Sequence, residues 1–498
     1  MNTAIVINTI LGSNKWLGSI CGFDPVKELI KKLERIVKKE DLFVVVNDKI
    51  SREIGQRFSG FRKIQIHDLT TKNVFRELFN ALTPYEDIIY LFADTPLIDI
   101  EITEKMITLH RDEYAEYTCS EGFPAGITPE IVKRELFPKL AALLENDNSE
   151  IARDSIFYGL SKEINSFDIE TYFSPEDLKI KRIELSTTLK RNALIVERVI
   201  EKKGFSCSFE QFHSLIHEQP AVLRTVPAYV EMEITSMLNA PCIYSPLSFL
   251  KRDTGTMNYE TFKSILDKIR AFSEKFYVAF SFLGEPLLHG DIKKFIEYAI
   301  SDNNIHLILE TNGTLFTPAF SDYIRELHAD NLSIIFEVDA ALDETYRSIH
   351  QGNLSKVERN IRYLLSKISR NIYVQMIRVS ENEQEMLNFF DLWEKEGAKV
   401  IIQKYNSYLG LLTDLSKYDL RPLERMCCWH LLRDLVVFQN GDVPRCKQDM
   451  NGLFLLGNLQ HEEISTVWEK GEPFYLQHCA EKYDEYCSKC DEYYTFNF

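Results

Sequence analysis

The sequence predicts an α/β chain in three parts: an N-terminal doubly wound sheet, a central partial (β/α)6 barrel, and a C-terminal cysteine-rich domain. Three observations carry this. Short apolar runs rich in β-branched residues alternate with amphipathic helical patterns from Met1 to about Lys203, as in a mostly parallel sheet covered on both faces. The alternation recurs as six strand–helix units between about Pro227 and Ser407, which suits a parallel barrel or partial barrel. Six of the ten cysteines then crowd between Cys427 and Cys490, in a tail with little regular pattern.

In the first part, Ala4–Asn8, Leu42–Asn47 and Ile88–Ala93 read as buried strands, and Pro25–Val37, Val74–Leu82 and Pro129–Leu144 as helices. In the second, the strands are Tyr229–Thr235, Phe276–Phe282, Ile305–Thr311, Leu332–Val338, Ile372–Arg378 and Lys399–Lys404. The helices between them are Tyr259–Phe272, Ile292–Ile300, Pro318–Leu327, Leu354–Ser366 and Glu383–Glu394. The expected boundaries are 1–203 for the first domain, 204–226 for a connector, 227–413 for the barrel and 414–498 for the tail.

The 498 residues, 45% hydrophobic and 27% charged, have the make-up of a soluble globular protein of more than one domain. A net charge of −17 argues against a phosphate-neutralising surface, so no nucleic-acid partner is expected. No stretch approaches the roughly 20 apolar residues of a membrane span. Met1 to Leu11 lacks a basic leader and reads as a buried strand, so a cytoplasmic chain with reduced thiols is expected.

Cys487-Ser488-Lys489-Cys490 is a C-x-x-C turn. Cys446 follows a hairpin turn at Gly441-Asp442-Val443-Pro444-Arg445, and Cys428 lies one strand earlier. Four such thiols close either a tetrahedral zinc site or a four-thiolate iron–sulfur cluster, and spacing alone does not separate the two. Cys427, Cys479 and His430 are spare ligand candidates. Cys428 is preferred to Cys427 because Trp429 and Leu431 read as a strand continuing to Val436 and Phe438.

Cys428-Trp429, the run Gly441 to Asp449, Leu456-Gly457-Asn458-Leu459, Ile464 to Trp468, and Cys487 to Asp491 together resemble a SPASM domain. That resemblance implies an auxiliary 4Fe–4S cluster on Cys428, Cys446, Cys487 and Cys490, in the tail of a radical S-adenosylmethionine protein. The barrel is similar to the same superfamily. Phe282-Leu283-Gly284-Glu285-Pro286 ends the second strand and resembles the GGEP motif, which implies that Gly284, Glu285 and Pro286 receive the methionine end of S-adenosylmethionine. Asn312 and Asp339, at the next two strand ends, are the further cofactor-binding candidates.

The family's C-x-x-x-C-x-x-C motif is damaged. Leu238, Cys242 and Ser245 stand in the three cysteine positions, so one thiol remains as a candidate ligand. Leucine has no lone pair, and a serine hydroxyl is a poor ligand for a soft metal.

In the first domain, Asp94-Thr95-Pro96-Leu97-Ile98 resembles the metal-binding D-x-P-L-I segment of sugar-nucleotide cytidylyltransferases. Leu11-Gly12-Ser13-Asn14-Lys15 and Gly18 resemble their phosphate loop. The resemblance implies a divalent metal at Asp94. Ser19 and Ser186 replace a lysine and an aspartate of the family's machinery. Apart from any resemblance, Asp94 also reads as a helix N-cap ahead of Pro96.

The order of the three parts resembles the spiro-SPASM family. The reading favoured is an iron–sulfur protein that has lost reductive cleavage and acts as a binding or redox module. Its partners would be a small molecule or peptide and an electron-transfer protein. Two alternatives are an active radical enzyme modifying a peptide or sugar-nucleotide, and a metal-dependent nucleotidyltransferase.

Overall fold

Apolar side chains fill β1 (Thr3–Asn8), β2 (Leu42–Asn47) and β4 (Asp87–Phe92), and nearly all are buried, as strands covered on both faces require. With β3 (Arg62–Ile66), β5 (Tyr117–Glu121), β6 (Glu130–Lys133) and β7 (Ile169–Phe173) they form one sheet in the order β3-β2-β1-β4-β6-β5-β7. The pairs from β3 to β4 are parallel, and β6 runs antiparallel between β4 and β5. The chain moves outward from β1 to β3 and then returns to β4 on the other side. The carboxyl ends of β1 and β4 therefore flank a switch point, where such sheets leave a ligand crevice. Asp94 lies two residues past β4.

This computed structural model describes residues 2–10, 18–47, 57–58, 60–240 and 242–495. The chain divides into two units, Met1–Thr225 and Val226–Phe498. The 204–226 stretch belongs to the first. It carries a helix, Phe209–Glu218, started by a capping box between Ser208 and Gln211. The helix expected over Pro129–Leu144 divides into β6 and a helix at Leu136–Leu143. There Ile131 and Val132 pair with Ile89 and Ile88 of β4, and sheet pairing overrides the helical period.

In the second unit, β8 (Tyr229–Met232), β9 (Phe276–Phe280), β10 (Ile305–Thr311), β11 (Leu332–Glu337), β12 (Ile372–Arg378) and β13 (Lys399–Lys404) follow the six expected runs. A seventh strand, β14 (Asp434–Val437), comes from the tail and pairs parallel with β8, giving the order β13-β12-β11-β10-β9-β8-β14. A paired β8 presents no open edge on that side. The tail continues as the antiparallel pair β15 (Asp442–Pro444) and β16 (Leu455–Asn458). The strand expected at Trp429–Leu431 is instead a short helix, Trp429–Arg433. Its adjacent Leu431 and Leu432 break strict alternation, and His430 pairs with Asp434 four residues on.

One hydrophobic core joins the barrel to the tail. Val443, Leu456, Val467 and Trp468 pack in the same cluster as Phe262, Phe280 and Phe295. Lys268 reinforces the junction by donating to the carbonyls of Leu459 (2.8 Å) and Glu462 (3.0 Å).

Candidate functional site

A cavity of about 170 Å³ lies at the carboxyl ends of the barrel strands. Glu231 of β8, Glu310 of β10, Glu337 of β11, Gln375 of β12 and Gln403 of β13 all line it, so the sheet curves around it. Of the expected cofactor residues, Gly284, Glu285 and Asn312 line the cavity, whereas Pro286 and Asp339 are not among its lining residues. Glu285 is 2% exposed. Its carboxylate accepts from Leu287 N (3.0 Å), Thr311 Oγ1 (2.8 Å) and Asn312 N (2.8 Å). Burial raises its pKa while the Asn312 and Leu287 amides oppose that rise.

Asp339 is spent on structure. Its carboxylate accepts from Tyr244, from His350 Nε2 (2.7 Å) and from the Ile377 amide, and its backbone adopts φ +64°. Asn382 donates to its carbonyl at 2.8 Å. Asp339 thus clamps the loop around Tyr244 to the ends of β11 and β12.

Leu238, Cys242 and Ser245 all line the cavity, where the resemblance places the radical cluster. The donor set is one thiol, one hydroxyl and one hydrocarbon. Burial, then Glu337 and Asp339, push the Cys242 thiol up to about 12. These residues do not fit a three-thiolate cluster.

The cavity also holds charged groups that the sequence reading passed over. Burial raises both Glu310 and Glu337, and the Glu310 charge raises Glu337 further, so a proton shared by the pair favours Glu337. Lys447 projects from the tail into the same space. Burial pulls its pKa down, but Glu492 and Glu231 outweigh that and hold it above the ordinary lysine range. The available signal was a single acid in each of three mostly apolar strands.

In the tail, Cys428 caps the helix Trp429–Arg433, Cys446 follows β15, and Cys487 and Cys490 frame the one-turn helix Glu485–Ser488. The four sulfurs form one electrostatic group. After burial, the neighbours that raise Cys428 are Cys490 and Cys446, and Cys446 also raises both Cys487 and Cys490. Backbone amides point at three of them: Leu431 and His430 at Cys428, Gln448 and Asp449 at Cys446, and Glu492 at Cys490 (3.4 Å).

Arg445 pairs with Asp484, whose Oδ1 accepts from Cys487 N at 2.7 Å, and this ties the hairpin to the C-x-x-C turn. Arg445 Nε and both polar atoms of the Gln448 side chain are buried with no hydrogen-bond partner among the described residues. Four thiols, amides aimed at sulfur, and a buried guanidinium fit an anionic thiolate cluster. Among the described residues no three of these sulfurs fall within 4.8 Å of one another. Of the spare candidates, Cys427 and Cys479 face each other with sulfurs 3.0 Å apart, and His430 bonds Glu492 O and Thr495 Oγ1, both at 3.0 Å.

Asp94 is 2% exposed at the switch point. Arg153 and Thr188 both bond its Oδ2, while Oδ1 has no partner among the described residues. Ser186, where the family's second aspartate would stand, donates to Glu184 at 2.6 Å. The guanidinium of Arg153 thus occupies one side of the Asp94 carboxylate, and Oδ1 alone is left open to a cation. Asp94 is not an N-cap: Asp99 caps the helix Ile100–Asp112 through Ile102 N at 3.1 Å. The expected phosphate loop, Leu11 to Lys15, lies outside the described residues.

The profile of the Radical SAM superfamily matches residues 233–392. An uncharacterized protein of Treponema pallidum (strain Nichols) is 30% identical over 358 residues, covering 69% of this chain and 98% of its own. The S-adenosyl-L-methionine-dependent 2-deoxy-scyllo-inosamine dehydrogenase of Niallia circulans is 23% identical over 244 residues, 48% of this chain and 81% of that one. Among solved structures, a cytidylyltransferase from Leptospira borgpetersenii serovar Hardjo-bovis is 17% identical with a TM-score of 0.38, over 45% of this chain and 97% of that one. No described helix is long and apolar enough to cross a membrane. On the matched profile, residues 233–392 of this chain form a domain of the radical SAM superfamily.

Proposed function

We propose that this chain is an iron–sulfur protein whose tail holds a 4Fe–4S cluster on Cys428, Cys446, Cys487 and Cys490. We further propose that its barrel binds a polar small molecule or peptide without cleaving S-adenosylmethionine reductively. The observation that carries this reading is the contrast between the two sets of ligands. Four thiols in the tail are near enough to raise one another electrostatically, whereas Leu238 and Ser245 leave Cys242 as the one thiol lining the cavity.

A bound tail cluster would supply one-electron transfer. The chain's own residues do the rest. The amides at Cys428, Cys446 and Cys490 stabilise thiolate over thiol, and Arg445 offsets the charge of the set. In the barrel, Glu285 and Asn312 present an acceptor rim to which the methionine ammonium of S-adenosylmethionine is suited. Glu337, Glu310 and Lys447 offer donors and acceptors within one chamber. Gln375 and Gln403 add neutral amides, so the recognised group is polar and able to both donate and accept.

Anaerobic reconstitution of the full chain with iron and sulfide tests the reading. About four irons per chain are expected, lost in Cys428→Ala/Cys446→Ala and unchanged in Cys242→Ala. Near eight irons together with 5′-deoxyadenosine formation would overturn it, as would bound zinc without sulfide at the tail thiols.

A further inference from the structure

The first unit brings together three side chains that none of the preceding chemistry uses. The helix Phe209–Glu218 sets His213 and His217 one turn apart on the same face. The loop after β7 lays Glu176 across both. His213 Nε2 lies 2.6 Å from one Glu176 oxygen, and His217 Nε2 lies 3.4 Å from the other. The two ring nitrogens are 3.2 Å apart.

These separations are close to those of a metal's inner shell. With Zn–N and Zn–O bonds of roughly 2.0–2.2 Å, tetrahedral donors stand about 3.3–3.4 Å apart, and two of the three edges here, 3.4 and 3.2 Å, are close to that length. Hydrogen bonding alone serves the arrangement poorly. If each imidazole turned an Nε2–H toward Glu176, two donors of the same kind would face each other across 3.2 Å, whereas a cation accepts both nitrogen lone pairs and the carboxylate at once.

The frame is fixed on both sides. Phe209 packs edge-on to Phe123, 4.8 Å between ring centres, and the His213 and His217 rings lie 4.5 Å apart. The loop is pinned on either side of Glu176, by Ser174 N to Glu121 O at 2.9 Å and by Leu178 N to Gly122 O at 2.8 Å. The three side chains are 29%, 49% and 47% exposed for His213, His217 and Glu176, so an ion can reach them from solvent.

We propose that Glu176, His213 and His217 bind one zinc(II) ion, with water in the fourth position. Two imidazoles and a carboxylate are a borderline donor set suited to zinc and unlike the all-sulfur tail. Bound there, the ion would clamp the loop after β7 to the helix.

The test uses the full chain with its tail thiols already loaded with iron and sulfide. Zinc titration by calorimetry should show one saturable site, lost in both His217→Gln and Glu176→Gln, with circular dichroism matching the parent in each. Cobalt(II) should give visible ligand-field bands of tetrahedral intensity without a thiolate-to-cobalt charge-transfer band. The proposal falls if no saturable zinc site is found, if binding survives both variants, if the cobalt spectrum shows thiolate ligation, or if the site holds iron(II) in preference to zinc. An iron count of four on the same sample, with zinc absent, would sink this site and leave the tail cluster standing.

Discussion

Gly284→Ala separates two explanations of one residue. The sequence reading gave this glycine to a ligand, as a place where bound cofactor approaches the backbone. The structure fills that space with the chain itself. A Cβ at residue 284 would lie 2.0 Å from Thr235 O, 2.8 Å from Thr235 C and 3.0 Å from Met237 O. All three are backbone atoms that cannot swing aside. Restoring ordinary contact of 3.4 Å at the first requires a shift of about 1.4 Å, being 3.4 minus 2.0. That shift would break the bond from Glu285 N to Met237 O, 2.7 Å long, and disturb the three bonds that Glu285 accepts. One buried backbone bond, one bond to a carboxylate and the overpacking each cost roughly 1–3 kcal/mol, so a loss of about 4 kcal/mol is expected in the second unit. Urea unfolding followed by tryptophan fluorescence measures it; all four tryptophans but Trp16 lie in that unit. A loss under about 0.5 kcal/mol, with S-adenosylmethionine binding abolished, would refute the packing argument and return the glycine to the ligand.

The first unit supplies two further predictions. Burial holds His110 at about 4, below the ordinary value near 6.5, so the unfolded chain binds the extra proton between those values. Its contribution is therefore complete above about pH 6.5 and falls away toward pH 4, by up to about 3 kcal/mol. His110→Gln should flatten the fall of the melting temperature over that range, and parallel curves would exclude His110 as the cause. Arg153→Ala removes the cation from a buried Asp94 and should cost roughly 3–5 kcal/mol, partly recovered by millimolar Mn²⁺. Recovery of equal size in the parent protein would show that Arg153 never stood in the metal's place.

What was legible from sequence follows from where the information sits. Strands buried on both faces announce themselves by composition, and Ile305–Thr311 and Ile372–Arg378 have the bounds that their apolar runs imply; the edge strand Lys399–Lys404, exposed or half-buried throughout, has its expected bounds too. A strand reaching Val436 was legible, but not its pairing as β14 with β8, some 200 residues earlier in the chain. Asp339 reads as a ligand from its place at a strand end, yet its carboxylate is consumed by Tyr244, 95 residues away. The cysteine spacing was legible, but the ion pair between Arg445 and Asp484 that draws the two cysteine segments together was not. His213 and His217 stand at plain helical spacing, in a stretch whose helix was not expected and whose third donor lies 37 residues upstream of His213. Each miss concerns a partner distant in sequence, which periodicity does not encode.

The same long-range contacts argue that tail and barrel work as one object. Lys447 follows Cys446 directly, and Glu492 lies two residues after Cys490. Both belong to segments that present cluster thiols, and both bear on the cavity through the charges of Lys447, Glu492 and Glu231. Burial would raise Glu492, but Lys447 and Lys404 hold it down at about 2. Few apolar contacts fix these segments; Cys428, Leu431, Tyr475 and Tyr493 make up the small buried cluster beside them. A metal centre binding the four thiols would therefore contribute to the folding of the segment that places Lys447. If so, removing the cluster changes more than a redox group: it loosens one wall of the cavity. On the function proposed above, a barrel without its own cluster would still depend on iron and sulfide, through the tail that completes it.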